Sequence, residues 1–273
     1  MTKEILNHFP FPTDYDVYCE GFGGGASVLF AKEKDPLEIY NDLGQNVYSL
    51  FKTLSDKEAF ARLKEKMDIT YYSAQIRKEF KDSLKNDNLS FEERAYKFLV
   101  VNRSSFNGVG GFSTNLTIRR NMSKSVSDYL SMIDKLPEIH NRLSGVIVEN
   151  RDIIDFIQKY DSERTFFYLD PPYVKMTRSS SQTYEVEMTN EEHERLIDTI
   201  LSAKGMFLVS GYYHPIYDKL EQTFERIDFA SPNANSNAIE SLWKNYWQNR
   251  PNGRFLNICI TSRDRKCLTK NSY

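Results

Sequence analysis

The chain has 273 residues, of which 40% are hydrophobic, and 36 Lys and Arg stand against 38 Asp and Glu for a formal net charge of −2. That length and apolar content support one large α/β domain, or a domain carrying an insertion, with the composition of an ordinary soluble protein. No apolar run approaches the roughly 20 residues that cross a bilayer, and Met1-Thr2-Lys3-Glu4 opens on mixed charge without a signal-type apolar stretch, so a cytoplasmic location is expected. Cys19, Cys259 and Cys267 are odd in number and lack C-x-x-C spacing, and none of His8, His140, His193 and His214 has a ligand-like neighbour. Neither a disulfide framework nor a metal is expected.

In chain order, a first strand is predicted from Asp16 to Cys19, followed by the loop Glu20-Gly21-Phe22-Gly23-Gly24-Gly25-Ala26-Ser27 and a helix from Val28 to Ala31. Strand, glycine loop and helix is the order of a nucleotide-binding unit. A second strand over Leu37–Tyr40 ends at Asn41-Asp42, with a helix from Val47 to Leu54. Residues 56–142 then break the β-α rhythm with long charged, helix-prone stretches. They lead into a Gly- and Ser-rich segment, 103–127, read as a loop or hairpin. From Ala95 to Val126 there is no acidic residue, whereas Lys97, Arg103, Arg119, Arg120 and Lys124 all fall there among Ser, Thr, Asn and Gly. Such a stretch suits a polyanion, or is simply a solvated basic face.

The β-α rhythm returns with a strand over 145–149 that exits at Asn150-Arg151-Asp152, and with a helix from Ile153 to Lys159. The strand Phe166-Phe167-Tyr168-Leu169 then runs into Asp170-Pro171-Pro172-Tyr173. Thr189-Asn190-Glu191-Glu192 reads as a capping box opening a helix to about Lys204, with Gly205 as its stop. Further strands are predicted over 206–210, 226–230 and 255–261. Their near-continuous apolar runs indicate burial on both faces. The fold expected is α/β: a doubly wound, about seven-stranded mixed sheet, with residues 1–55 and 143–273 forming the cofactor-binding part around an inserted, mainly helical part, 56–142.

The tetrapeptide 170–173 carries the most chemistry. Two prolines end the strand and leave its carbonyls free to accept, and an acidic side chain stands at the exit. The Asp170 carboxylate and the Pro171 carbonyl can hold both N–H bonds of a planar exocyclic amine, while Tyr173 offers a ring for a flat base. In an open α/β sheet, ligands lie beyond the carboxyl ends of the strands where strand order reverses. If the first strand and the Asp170 strand flank that point, the glycine loop faces Asp170. Asp42 then suits the hydroxyls of a ribose, and Asp152 suits an adenine amino group, although a lone Asp at a strand end is also an ordinary helix N-cap.

Several segments together resemble the Dam-type, adenine-specific DNA methyltransferases that use S-adenosylmethionine. They are Tyr18 to Gly25, Tyr40-Asn41-Asp42, Asn150-Arg151-Asp152, Asp170 to Tyr173, Leu208 to Tyr212, Glu240 to Asn245 and Arg103-Ser104-Ser105-Phe106-Asn107-Gly108. The resemblance implies a Rossmann-like catalytic domain acting on double-stranded DNA by base flipping, as in restriction-modification systems, without a metal. It implies cofactor contacts from Glu20, Phe22, Gly23, Gly24, Asp42, Asp152, Ile153 and Asp170, and catalysis by Asp170, Pro171, Pro172 and Tyr173. It also implies DNA contacts from Arg103, Ser105, Asn107, Arg119, Arg120 and Lys124. The family's opening Pro-Gly-Gly-Lys-like segment has no counterpart before Cys19, and Gly21 replaces a usual proline. A catalytically weak DNA-binding relative, or an enzyme that methylates RNA or a protein amide, therefore stands as the alternative.

Overall fold

The computed structural model describes residues 1–108, 110–174, 187–230 and 239–246. Among these, a seven-stranded mixed sheet has the order β5-β2-β1-β6-β7-β9-β8. Its strands are β1 (Val17–Glu20), β2 (Leu37–Asn41), β5 (Val146–Glu149), β6 (Thr165–Leu169), β7 (Met206–Tyr212), β8 (Glu225–Ala230) and β9 (Ile239–Lys244). A separate two-stranded ribbon pairs β3 (Ile118–Arg119) with β4 (Met122–Ser123). β1 lies parallel to both β2 and β6, β7 is parallel to β6, and β9 is antiparallel to β7 and β8. The described residues form two compact units, one of Met1–Asn41 with those from Arg151 onward, the other of Asp42–Asn150.

In the first unit the sheet's centre is buried. Every residue of β6 is buried, as are Met206 to Ser210 of β7. α8 (Ile153–Tyr160) and α9 (Asn190–Ser202) cover it through Phe156, Ile157, Leu196, Ile197 and Ile200, which join Phe167, Phe207 and Trp243 in one core. Phe167 and Phe207 stack at 4.7 Å on adjacent strands. Toward the start of the chain, α1 (Thr2–Asn7) buries Ile5, and Phe9 packs edge-on against Phe166 at 4.8 Å.

α9 begins as its sequence predicts, with a reciprocal capping box between Thr189 and Glu192. It ends two residues short of the expected Lys204. The Asp161 carboxylate accepts from the backbone N–H groups of Lys204 and Gly205 at 2.9–3.0 Å and so takes the amides that another turn would have used. The strand expected over 255–261 lies outside the described residues. β9, which the sequence reading did not identify as a strand, occupies the place between β7 and β8.

The second unit is mainly helical: α3 (Gln45–Ser55), α4 (Lys57–Ile69), α5 (Ala74–Ser83), α6 (Phe91–Arg103) and α7 (Lys124–Leu143). Side chains of Asp56, Ser73, Ser90 and Ser123 accept from backbone N–H groups in the first turns of α4, α5, α6 and α7. Each such cap is worth about 1 kcal/mol. Buried Arg94 ties this unit internally, donating to Asn46 Oδ1 at 3.1 Å and to the carbonyls of Leu84 and Asn86 at 3.1 and 2.8 Å. Among the described residues no helix is long and apolar enough to cross a membrane.

Candidate active site

β1 lies between β2 and β6, so the chain moves outward from β1 to β2 and later returns on the opposite side of β1. That reversal brings the carboxyl ends of β1 and β6 side by side, with Glu20 level with Tyr168 and the Gly21 N–H donating to Tyr168 O at 3.1 Å. The glycine loop and the Asp170 tetrapeptide thus leave the sheet together, at the position where open α/β sheets take ligands.

Packing fixes the shape of the loop. A Cβ on Gly23 would lie 1.9 Å from Cε2 of the buried Tyr40 ring, and one on Gly21 would lie 2.5 Å from Leu169 Cδ2 and 2.7 Å from Ile153 Cδ1. Gly24 sits at φ +48, in the left-handed region, and its carbonyl accepts from the Tyr40 hydroxyl at 2.7 Å. Beyond the loop's inner face, a Cβ on Gly24 or Gly25 would meet nothing within 4 Å among the described residues apart from its chain neighbours, so the outer rim is open to a ligand on that side. Buried Asn41 is the clasp. Its amide donates to Gly21 O at 3.0 Å and to Arg151 O at 3.1 Å, its carbonyl oxygen accepts from Arg151 N at 2.9 Å, and its backbone carbonyl accepts from Gly23 N at 2.9 Å.

The acidic residues of this end are used in different ways. Glu20 points inward. Its carboxyl group accepts from the Tyr18 hydroxyl at 2.7 Å and from the Leu29 backbone of α2 (Ser27–Ala31), and burial, reinforced by Asp170, raises its pKa to about 8. Asp152 caps α8, accepting from Ile154 N at 2.9 Å. That capping bond occupies one lone pair of a carboxylate that has about four. Ile153 is buried beneath Gly21, and Phe22 packs partly buried on the core. Asp42 follows directly on β2 and belongs to the second unit, where its carboxylate accepts from Gly44 N at 2.7 Å and its carbonyl from Asn150 at 2.7 Å.

Asp170 keeps some solvent contact between buried neighbours, and Pro171 and Pro172 are buried. Burial raises its pKa to about 6, Glu240 pushes the same way, and a hydrogen bond from Ser210 Oγ at 2.9 Å opposes both. Tyr173 is half-buried, with its ring 4.5 Å from that of Tyr212 at the end of β7. The arrangement offers an acceptor-rich strand end beside an aromatic wall, across from a glycine loop. Ser210, Tyr212, Asn41 and Glu240 had no role in the sequence reading, although each lies in a segment singled out there. For Ser210, Tyr212 and Asn41, position near the ends of β7 and β2 is the signal that could have found them, whereas Glu240 stands on β9, which its sequence does not mark as a strand.

In the second unit, Arg103 is exposed at the end of α6, and Asn107 lies in the 3-10 turn Phe106–Gly108. Ser105 is buried and engaged, accepting from Arg77 Nε at 2.9 Å and donating to Val101 O at 2.6 Å. The β3–β4 ribbon turns through Arg120 at φ 54 and Asn121 at φ 58, the two positive φ values of a tight hairpin. Arg119 and Lys124 both reach Asp128, at 2.8 and 2.5 Å, and Arg120 donates to Ser131 Oγ at 3.1 Å.

Comparison with known proteins agrees with this geometry. The family model of D12 class N6 adenine-specific DNA methyltransferases matches residues 1–255. The chain is 24% identical to the type II methyltransferase M1.LlaDCHI of Lactococcus lactis subsp. cremoris, over 95% of this chain and 92% of that one. It is 21% identical to the type II methyltransferase M.CviBI of Paramecium bursaria Chlorella virus NC1A, over 76% and 82% respectively. The solved structure of an rRNA methyltransferase from Streptomyces viridochromogenes aligns over 89% of this chain and 81% of that one at 10% identity, with a TM-score of 0.39, too low to carry an argument. With the family matched along nearly the whole chain, and with a glycine loop and an Asp-Pro-Pro-Tyr strand end side by side, the protein belongs to the D12 class N6 adenine-specific DNA methyltransferases and methylates adenine in DNA at specific sites.

Proposed function

We propose that Asp170 and the Pro171 carbonyl hold the exocyclic N6 amine of a flipped adenine against the Tyr173 ring, at the β6 exit. The observation that carries this reading is the pairing of β1 with β6, which sets Asp170 next to the glycine loop. The open rim over Gly24 and Gly25 fits S-adenosylmethionine, which supplies an electrophilic methyl group on a sulfonium. In this reading Phe22, Gly23 and Gly24 contact the amino-acid end, and Asp152 with the first-turn amide of Ile153 the adenine. Glu20, turned inward, holds the loop to α2 instead of reaching out from it.

The target amine is buried in duplex DNA, so flipping it costs a few kcal/mol before any chemistry occurs. On accepting the methyl group the amine nitrogen would carry positive charge, which is relieved when it gives up one N–H proton. The Asp170 carboxylate and the Pro171 carbonyl stabilise that charge where it appears, which is electrostatic catalysis more than proton abstraction. Pro172 fixes the backbone that aims them. Duplex DNA is taken by residues 56–142, with Arg103, Ser105, Asn107, Arg119, Arg120 and Lys124 near the phosphates or bases. Ser105 contributes by shaping the loop, since its hydroxyl is already committed to Arg77 and Val101.

The deciding experiment is transfer of labelled methyl from S-adenosylmethionine to duplex DNA by the parent and Asp170→Ala proteins, with circular dichroism to check the fold. Turnover should fall by about a hundredfold to a thousandfold, as when one group that stabilises transition-state charge is lost. Methylation at near-parental rate would remove Asp170 from the mechanism.

A further inference from the structure

Behind Asp170 stands a chain of hydroxyls that the reaction itself does not call for. Ser210 Oγ lies 2.9 Å from Asp170 Oδ1 and 3.5 Å from Leu169 O, and the Tyr168 hydroxyl lies 3.0 Å from Ser210 Oγ. An ionised carboxylate accepts only, so the single Ser210 proton goes to Asp170. Tyr168 must then be the donor to Ser210, which fixes the direction of the whole chain. Neighbouring strands supply these groups: Leu169 is level with Val209 across β6 and β7, so Ser210 and Asp170 are the next residues on each.

We propose that Ser210, held by Tyr168, is a positioning residue for Asp170: it occupies Oδ1 and leaves Oδ2 for the target amine. The proposal rests on the catalytic reading of Asp170. Among the described residues the other titratable groups that act on Asp170 or feel it are Glu20 on β1, Tyr168 on β6, Glu240 on β9 and Tyr217 in the turn Pro215–Tyr217, with Tyr173 next to Tyr168. Glu240 and burial disfavour the charged form of Asp170, and Ser210 opposes them. Removing Ser210 therefore acts in one direction.

The test compares the parent with Ser210→Ala, Ser210→Thr and Tyr168→Phe. Two readouts are taken: the acidic limb of kcat/KM for duplex DNA, and the Asp170 carboxyl titration by ¹³C NMR without substrates. In Ser210→Ala the limb and the titration should both move up by roughly one pH unit, and kcat at pH 8 should fall about tenfold while KM for DNA changes less than about twofold. Ser210→Thr should keep the parental limb, because it retains the hydroxyl. Tyr168→Phe leaves Ser210 in place and should move the limb upward by a smaller amount. An unmoved titration in Ser210→Ala, or an equal displacement in Ser210→Thr, would overturn the proposal. The Asp170→Ala protein separates the two readings: if it still methylates DNA while the NMR titration moves as expected, the catalytic assignment fails and the positioning contact stands.

Discussion

Glu20 and Asp170 end neighbouring strands, and burial raises both carboxyls above their ordinary range, to about 8 and about 6. Each group then holds a proton in the folded state at a pH where the unfolded chain has lost it. Stability falls with rising pH over such a window, from about 4.5 to 8 for Glu20 and from about 3.8 to 6 for Asp170. The two windows separate above pH 6, where only Glu20 still contributes. Urea denaturation at pH 6, 7 and 8 should show the parent losing stability across this range, and Glu20→Gln losing distinctly less, because Gln has no proton to release. Equal slopes in the two proteins would show that Glu20 ionises normally. The same ordering leaves Asp170 charged and Glu20 neutral near pH 7, so the acceptor facing the amine is the one of the pair that works as an anion.

The glycine loop shows how one short element serves both packing and ligand, and its glycines divide accordingly. Gly23→Ala drives a methyl into the Tyr40 ring, which is fully buried and held by its hydroxyl to Gly24 O, so neither partner can move cheaply. Overpacking of this kind costs about 1–3 kcal/mol, and S-adenosylmethionine binding should be lost with the loop's shape. Among the described residues Gly25→Ala meets open space, and its thermal midpoint should match the parent's. Matching midpoints for Gly23→Ala would mean that Tyr40 does not fix the loop. Strand ends were legible in the sequence because β1, β2 and β6 are apolar runs that stop at acidic or amide residues, and α9 because Thr189 and Glu192 form their cap locally. β9 was not legible. It carries buried Glu240, Ser241 and Lys244, which look like surface residues until Asp228 accepts from Ser241 at 2.7 Å and Glu225 pairs with Lys244 at 3.2 Å. Asn41 was hidden for a similar reason: the groups it joins, Gly21 and Arg151, are 130 residues apart in the chain but adjacent in the fold.

The molecule as a whole carries −2, so attraction to DNA must be local, and the acid-free stretch from Ala95 to Val126 suggested where it lies. The structure tempers that reading. Lys97 is paired with Glu93 at 3.3 Å, and Arg119 and Lys124 share Asp128, which stands two residues past the end of the stretch. All three members of the Asp128 cluster are about half exposed, and exposed pairs of this kind are worth at most about 1 kcal/mol, so a phosphate can exchange for Asp128 at little cost. Asp128 therefore acts as a weak internal competitor for DNA. Asp128→Asn should tighten binding to duplex DNA and steepen the dependence of log K on log salt by roughly one. Replacing Arg119 and Arg120 together by Ala should flatten that dependence by up to roughly two. Both proteins should bind S-adenosylmethionine with parental affinity in calorimetry, since the substituted side chains bond to one another, to Lys124 and to Ser131 and to no residue of the glycine loop. A salt slope unchanged in both variants would place the phosphate path elsewhere on the second unit. Weakened cofactor binding would instead mean that the two units do not take their ligands independently.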